Sequence, residues 1–393
     1  MSMALENPRL LSLAAGFTDN ATLPQTEVAA AVQALCAGDP EPLQYGTNAG
    51  RPRLRQLLAK RLEQQDGDGQ TVPVEEVFIT NGSQQALYLA MQVLCDPGDL
   101  VLVDQPSYFV FLEMLSGLGI TALPIPVTPD GRIDPEALRD LMQHLRAENR
   151  IERLKAVYVV SVFSNPSGRS LDLAEKQALG RVLSEENVIR PVIEDAAYRE
   201  LYYTTPPEAP SLRALREWQG FPILYLSTFT KPFATGLKVG YGMCNDRAWL
   251  SQMLHVKGHH DFGTANFNQA IAERVLGDGT FDRHLTTIRP EYERKMNALH
   301  DALVAGGLPS LGWHWQPPRG GLYLWLEAPP EFDTGLSSEF CRRCIDAGVL
   351  YVPGELCYPA GGPRNRVRLS FGVLGLDALA EAARRFAKVA GTF

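Results

Sequence analysis

Phe221-Pro222-Ile223-Leu224-Tyr225-Leu226-Ser227-Thr228-Phe229-Thr230-Lys231 is the stretch on which the reading of this chain turns. Its first half is a continuous apolar run, as expected of a strand covered on both faces. The run ends on a lysine, and the chain then turns through Pro232, Thr235 and Gly236. Lysine is costly to bury, so Lys231 is either a solvated loop residue or a functional amine. Two hydroxyls, Thr228 and Thr230, and a second cation, Lys238, lie near it in sequence. That mixture suits an amine that forms a Schiff base with an aldehyde beside a phosphate held by the hydroxyls and the cation.

Outward from this strand the pattern repeats. Residues 77–80, 100–103, 122–125, 156–160 and 191–195 read as short apolar strands, with helical stretches at 84–91, up to 117, and at 135–146. Apolar strands alternating with helices predict an α/β fold with a mostly parallel sheet covered on both faces. In such sheets ligands bind at the carboxyl ends of the strands. Beyond residue 283 the character changes. A charged helix is expected at 290–304, a hairpin-like region around 320–326, a helix at 337–347, a strand at 367–371 and a terminal helix. That α+β pattern predicts a second, smaller domain. The division expected is an N-terminal segment (1–40) packing with the small domain, a large domain (41–283) and a small C-terminal domain (284–393).

Composition narrows the possibilities. With 37 basic against 45 acidic residues the formal charge is −8, and no basic block stands out. Nucleic acid and anionic membrane are therefore not expected as partners. The N-terminal residues lack the pattern of a signal peptide, and no apolar run approaches the roughly 20 residues that span a bilayer. Six cysteines scattered through the chain fit a reducing cytoplasm. Cys341-Arg-Arg-Cys344 is expected to share one buried helix face rather than to hold a metal. His259-His260 is likewise read as something other than a metal site, since adjacent histidines point in different directions.

Four strand ends carry polar residues without an evident structural need. Gly82-Ser83-Gln84 sits where a strand hands over to a helix N-terminus, a ready phosphate site, although Ser83 alone reads equally as a cap. Asn165-Pro166-Ser167-Gly168 follows the strand at 156–160 and could be a simple turn. Asp195 ends the next strand, three residues before Tyr198, and a carboxylate there is hard to explain by packing. Lys231 ends the fourth. On adjacent strand ends these residues meet the needs of pyridoxal phosphate. Asp195 can hold the pyridine nitrogen protonated, and Asn165 and Tyr198 can hydrogen-bond the ring hydroxyl. Lys231 supplies the Schiff base and then moves the α-proton as general base. Gly82, Ser83, Gln84, Thr228, Thr230 and Lys238 can collect the phosphate. Tyr108 can stack on the ring or serve as buried packing. Arg368 can bind a substrate carboxylate as a bidentate guanidinium, with Arg364 and Arg366 read as surface charges.

Taken in order, Leu43-Gln44-Tyr45-Gly46-Thr47-Asn48-Ala49-Gly50, Thr80-Asn81-Gly82-Ser83-Gln84-Gln85-Ala86-Leu87, Pro106-Ser107-Tyr108, Asn165-Pro166-Ser167-Gly168, Glu194-Asp195-Ala196-Ala197-Tyr198, Thr228-Phe229-Thr230-Lys231, Arg319–Trp325 and Arg368-Leu-Ser-Phe form a specific set. Over nearly its whole length the chain resembles the class I/II aminotransferases of the fold-type-I pyridoxal-phosphate superfamily, in the kynurenine and 2-aminoadipate branch. The resemblance implies a large domain with a mostly parallel seven-stranded sheet between helices, plus a smaller α+β domain. It implies a homodimer with shared active sites in which Tyr45 reaches the partner's phosphate, and it places the Thr264-Ala265-Asn266 region near the dimer interface. It further implies that Asn165 helps Arg368 hold the α-carboxylate and that Gly16 lies by the substrate.

Departures from the family pattern bear on the substrate. Lys238 stands where most relatives carry an arginine, which keeps the charge and loses the bidentate fork. Ala196-Ala197 replace the usual Asp-Pro. The chain is short before Ala14-Ala15-Gly16, where some relatives have a gating helix and an arginine, and Arg9 is a poor substitute. The reading is an aminotransferase that moves an α-amino group between an L-amino acid and a 2-oxo acid, 2-oxoglutarate being the expected acceptor, by a ping-pong cycle. The alternatives are another reaction at the same site (β-lyase, oxidase or cyclase-type lyase) and a non-catalytic pyridoxal-phosphate regulator.

Overall fold

The computed structural model describes residues 10–67, 69–359 and 361–393. After a two-residue strand β1 (Leu11–Ser12), seven strands build one sheet: β2 (Val77–Asn81), β3 (Leu100–Val103), β4 (Thr121–Pro124), β5 (Leu154–Val160), β6 (Val192–Asp195), β7 (Ile223–Thr228) and β8 (Val239–Cys244). Their order across the sheet is β2-β8-β7-β6-β5-β3-β4. The pairs β3–β4, β3–β5, β5–β6 and β6–β7 are parallel, and only β8 is reversed against its neighbours. The expected mostly parallel, seven-stranded α/β sheet is present.

Helices α1 (Gln25–Cys36), α2 (Pro52–Asp66), α3 (Gly82–Leu94), α4 (Phe109–Gly117), α5 (Pro135–Ala147), α6 (Leu173–Glu185), α7 (Arg247–His260), α8 (Asn266–Gly277) and α9 (Thr280–Ala305) follow or flank these strands. Burial on both faces explains the continuous apolar runs. In β7, Leu224 and Leu226 pack with Leu87 of α3 and Met253 of α7, whereas Ile223 packs with Leu179 and Val182 of α6. Each such buried side chain contributes about 1.5–3 kcal/mol, which alternating polar residues would forfeit. Local signals agree with the global fold: Asp172 and Glu175 form a capping box that starts α6.

The C-terminal part adds β9 (Tyr323–Glu327), α10 (Glu339–Asp346), β10 (Val349–Leu350), β11 (Val352–Pro353), β12 (Arg366–Ser370) and α11 (Leu376–Ala390). Strands β11, β12 and β9 form an antiparallel sheet in that order, and β10 pairs with β1. Cys341 and Cys344 are both buried on α10.

Three expectations need correction. The helix expected at 290–304 begins at Thr280 and carries Pro290 in its interior. Pro290 reads as a helix start because its missing N–H costs nothing there. The apolar stripe Phe281, Leu285, Ile288, Tyr292, Met296, Leu299, Leu303 continues across it and outweighs the lost bond. The segment around 320–326 is not a local hairpin, because β9 pairs along its length with the distant strand β12, from Glu327↔Arg366 to Tyr323↔Ser370. Arg366 is half-buried against Glu327 rather than a plain surface charge, whereas Arg364 is exposed beside Asp333. Strand β8 also escaped the sequence reading, since Gly240 and Gly242 dilute its strand propensity. Arg9 lies outside the described residues.

Candidate active site

Strands β5, β6 and β7 end side by side, and their registers fix what converges there. Val160 pairs with Asp195, and Asp195 with Leu226, two residues before Thr228 closes β7. Asp195 is buried, accepts hydrogen bonds from Tyr158 Oη (3.1 Å) and the Ala197 N–H (3.1 Å), and forms no ion pair among the described residues. Burial therefore wins over these two bonds and pushes its carboxyl up to about 6. A buried carboxylate in that state is short of one cation.

Lys231 lies just beyond β7. Its Nζ donates to the Gly16 carbonyl at 2.5 Å. Burial lowers the pKa of this amine; the Arg368 and Lys238 cations push in the same direction, against an opposing effect of Tyr323. Gly16 has to be small: a Cβ there would lie 2.6 Å from Tyr323 Oη and 3.9 Å from Lys231 Nζ. Arg368, 2% exposed, donates Nη1 to Asn165 Oδ1 at 2.7 Å and Nη2 to the Ala14 carbonyl at 2.5 Å. Its Nε is buried without a hydrogen-bond partner among the described residues, so the anchor keeps a donor to offer an incoming carboxylate. Tyr198, also buried, lies 2.9 Å from Tyr323 hydroxyl to hydroxyl. Burial raises its pKa, so it is a neutral phenol with one proton to give.

On the other side of Lys231 the phosphate candidates gather around β8. Thr80 of β2 and Thr228 of β7 both pair with Gly240, and Asn81 pairs with Val239, next to Lys238. This brings Lys238 and the two threonines to the N-terminus of α3. Thr228 Oγ1 donates to Thr230 Oγ1 at 2.8 Å. A Cβ on Gly240 would lie 2.4 Å from the Gly82 carbonyl carbon and 2.5 Å from Ser83 N, so only glycine lets the cradle close on the sheet. Gly82 has φ +69° and open space where its own Cβ would point. Lys238 is exposed and adopts the left-handed conformation, φ 56°. Tyr108 approaches Gln84 Oε1 with its hydroxyl at 3.4 Å, and burial raises its pKa.

Pyridoxal phosphate fits this arrangement. The open N-terminus of α3 would hold the phosphate, the uncompensated Asp195 would hold a protonated ring nitrogen, and Lys231 would supply the amine. Of the expected residues, only Tyr45 stands apart from the cluster: it is 80% exposed and packs edge-on against Phe262, with ring centroids 5.4 Å apart.

Several contributors were not singled out from the sequence. Tyr158 holds Asp195, and its signal was a lone polar-tipped aromatic inside a β-branched run. Tyr323 touches Tyr198 and also stacks on Arg368, its ring centroid 4.4 Å from the guanidinium carbon. Asp104, at the end of β3, accepts from Ser107 Oγ (2.6 Å) and the Val160 N–H (3.0 Å), and desolvation pushes its carboxyl up to about 7. Its position after an apolar strand, like that of Asp195, was the available clue.

Comparison with known proteins agrees with this geometry. The family model for aminotransferase class I and II matches residues 8–386. The 2-aminoadipate transaminase of Thermus thermophilus is 32% identical over 386 residues, covering 98% of this chain and 90% of that protein. Aromatic-amino-acid aminotransferase 1 of Thermococcus litoralis is 29% identical, covering 98% and 88%. The crystal structure of Pyrococcus horikoshii kynurenine aminotransferase, in complex with pyridoxamine phosphate, superposes with a TM-score of 0.88 at 30% identity, covering all of this chain and 93% of that one.

Proposed function

This chain belongs to the class I and II aminotransferases and uses pyridoxal phosphate; on that premise we propose that it exchanges an α-amino group between an L-amino acid and a 2-oxo acid, with 2-oxoglutarate as the usual acceptor. The observation that carries this reading is the meeting of Lys231, Asp195, Tyr198, Asn165 and Arg368 at the carboxyl ends of β5–β7 and on the facing strand β12.

When bound, pyridoxal phosphate supplies an aldehyde that captures amines and a ring that withdraws electrons from the carbon beside the captured nitrogen. The protein does the rest. Arg368 presents its guanidinium to the α-carboxylate, and Asn165 fixes the guanidinium plane through Nη1. The carboxylate held there directs the Cα–H of the substrate toward Lys231. Burial lowers the pKa of Lys231 and so favours the neutral amine, the form that can accept that proton, hold it and deliver it again. Asp195 would hold a protonated ring nitrogen of the bound cofactor, and Tyr198 would donate to its ring oxygen. Both substrates use Arg368 in turn, so the first oxo acid leaves before the second binds.

Initial rates measured against both substrates should therefore give parallel double-reciprocal lines, and turnover should require an oxo acid. Steady ammonia release without an acceptor would instead mark a lyase or oxidase. Borohydride reduction followed by peptide mapping should place the label on Lys231, and a label on another lysine would refute the scheme.

The exposed Tyr45, Leu43 and Phe262 support a homodimer with shared sites, since a soluble surface rarely leaves such residues uncovered together. Asn266 donates to the Glu41 and Gln44 carbonyls and so pins the Tyr45 loop against α8. In this reading Tyr45 completes the phosphate site of the partner. Residues 1–40, 41–283 and 284–393 remain the proposed units; β1 pairs with β10, and α9 spans the 283/284 boundary. No helix among the described residues is long and apolar enough to cross a membrane, and a cytoplasmic enzyme is the proposal.

A further inference from the structure

We propose that Tyr323 is a positioning residue for amino transfer: its ring seats Arg368, and its hydroxyl donates a hydrogen bond to Tyr198. The inference rests on the roles given above to Arg368 and Tyr198 and adds a residue that couples them.

The register of the small sheet puts Tyr323 in place. Arg368 lies opposite Trp325, so Tyr323, two residues earlier on β9, shares its face as a diagonal neighbour. Diagonal pairs on a sheet are about 7–8 Å apart, within reach of an aromatic side chain. The guanidinium carbon of Arg368 sits 4.4 Å from the Tyr323 ring centroid and 5.3 Å from that of Phe109. With Nη1 on Asn165 and Nη2 on the Ala14 carbonyl, these aromatic contacts set the remaining tilt of the guanidinium plane.

The hydroxyl has a separate task. It lies 2.9 Å from Tyr198 Oη, the two rings meet edge to face with centroids 5.7 Å apart, and Tyr323 is 2% exposed. Each phenol has one proton. If Tyr198 donates to the cofactor ring oxygen it has none left for Tyr323, so Tyr323 must be the donor within the pair. Accepting that bond polarises the Tyr198 O–H and strengthens its own donation. A phenylalanine at 323 would keep the stack on Arg368 and lose this second function. Gly16 fits the same picture, because any side chain there would strike the Tyr323 hydroxyl.

The two functions separate in holoenzyme variants. A hydrogen bond to the ring oxygen favours the form in which that oxygen is most negative, the form that has lost its proton. Weakening the bond should therefore raise the pH midpoint of the visible absorption band of the bound cofactor. Tyr323→Phe should raise it by about 0.5 unit or more, while KM for the amino donor stays within about twofold. Tyr323→Leu, which also loses the ring, should raise KM about tenfold. In a Tyr198→Phe background, Tyr323→Phe should add less than about 0.2 unit, because its route to the cofactor is gone. Additive shifts in the double variant, or an unmoved midpoint in folded, cofactor-loaded Tyr323→Phe, would overturn this inference alone. An unmoved midpoint in Tyr198→Phe itself would overturn the role of Tyr198 and this inference with it.

Discussion

Asp195 shows at the scale of one residue how burial is turned to use. Its folded pKa of about 6 lies above the ordinary carboxylate value, so the folded apoprotein holds this proton more tightly than the unfolded chain. The contribution is favourable at low pH and is lost as pH rises from about 4 to about 6, leaving a penalty of about 3 kcal/mol above that window. Asp195→Asn should remove the penalty. Urea denaturation of the apoprotein at fixed concentration should show the variant more stable than wild type at pH 7 by about 1–3 kcal/mol, with the difference fading near pH 4. The same variant should lose at least about 100-fold in kcat, since an amide cannot keep the ring nitrogen protonated. A variant that is no more stable at pH 7 would mean that the buried carboxylate costs the apoprotein nothing.

Among the elements, the junction of β2, β8 and α3 depends on close backbone approach. Gly240→Ala would drive a methyl into the Gly82–Ser83 backbone and push the α3 N-terminus off the sheet. We expect a loss of about 1–3 kcal/mol in stability from overpacking, and a rise of about tenfold or more in the Kd for pyridoxal phosphate measured by absorbance titration. Unchanged cofactor affinity would argue against this junction as the phosphate cradle. The parallel strands were legible because burial on both faces writes them as unbroken apolar runs. Strand β8 was not, because two of its positions are glycine: Gly240 lets the cradle close, and Gly242 leaves room for Phe78 and Leu226. The α9 start was misplaced for a related reason: Pro290 is a local stop signal, and the apolar stripe that overrides it acts through packing with distant elements.

The whole molecule sets the limit of a single chain. Tyr45 and Lys231 are proposed to serve the same site from different subunits, which predicts complementation. Tyr45→Ala and Lys231→Ala homodimers should each be impaired. After unfolding and refolding together in equal amounts, about one quarter of the wild-type activity should return, because half the dimers are hybrids with one intact site each. If the mixture is no more active than its parents, the sites are not shared. The amino-acid sequence by itself determined the alternating α/β pattern, the ordered motifs at the strand ends and hence the cofactor, since these depend on local periodicity and on residue types that chemistry constrains. Lys231 and Asp195 could be picked out because a charged group at the end of a buried run is costly and conspicuous. Only the tertiary structure decided that Tyr158 holds Asp195, that Gly16 meets Lys231, and that Tyr323 lies between Arg368 and Tyr198. Those contacts join residues far apart in the chain, and a buried aromatic reads as packing until the strand register shows what its hydroxyl touches.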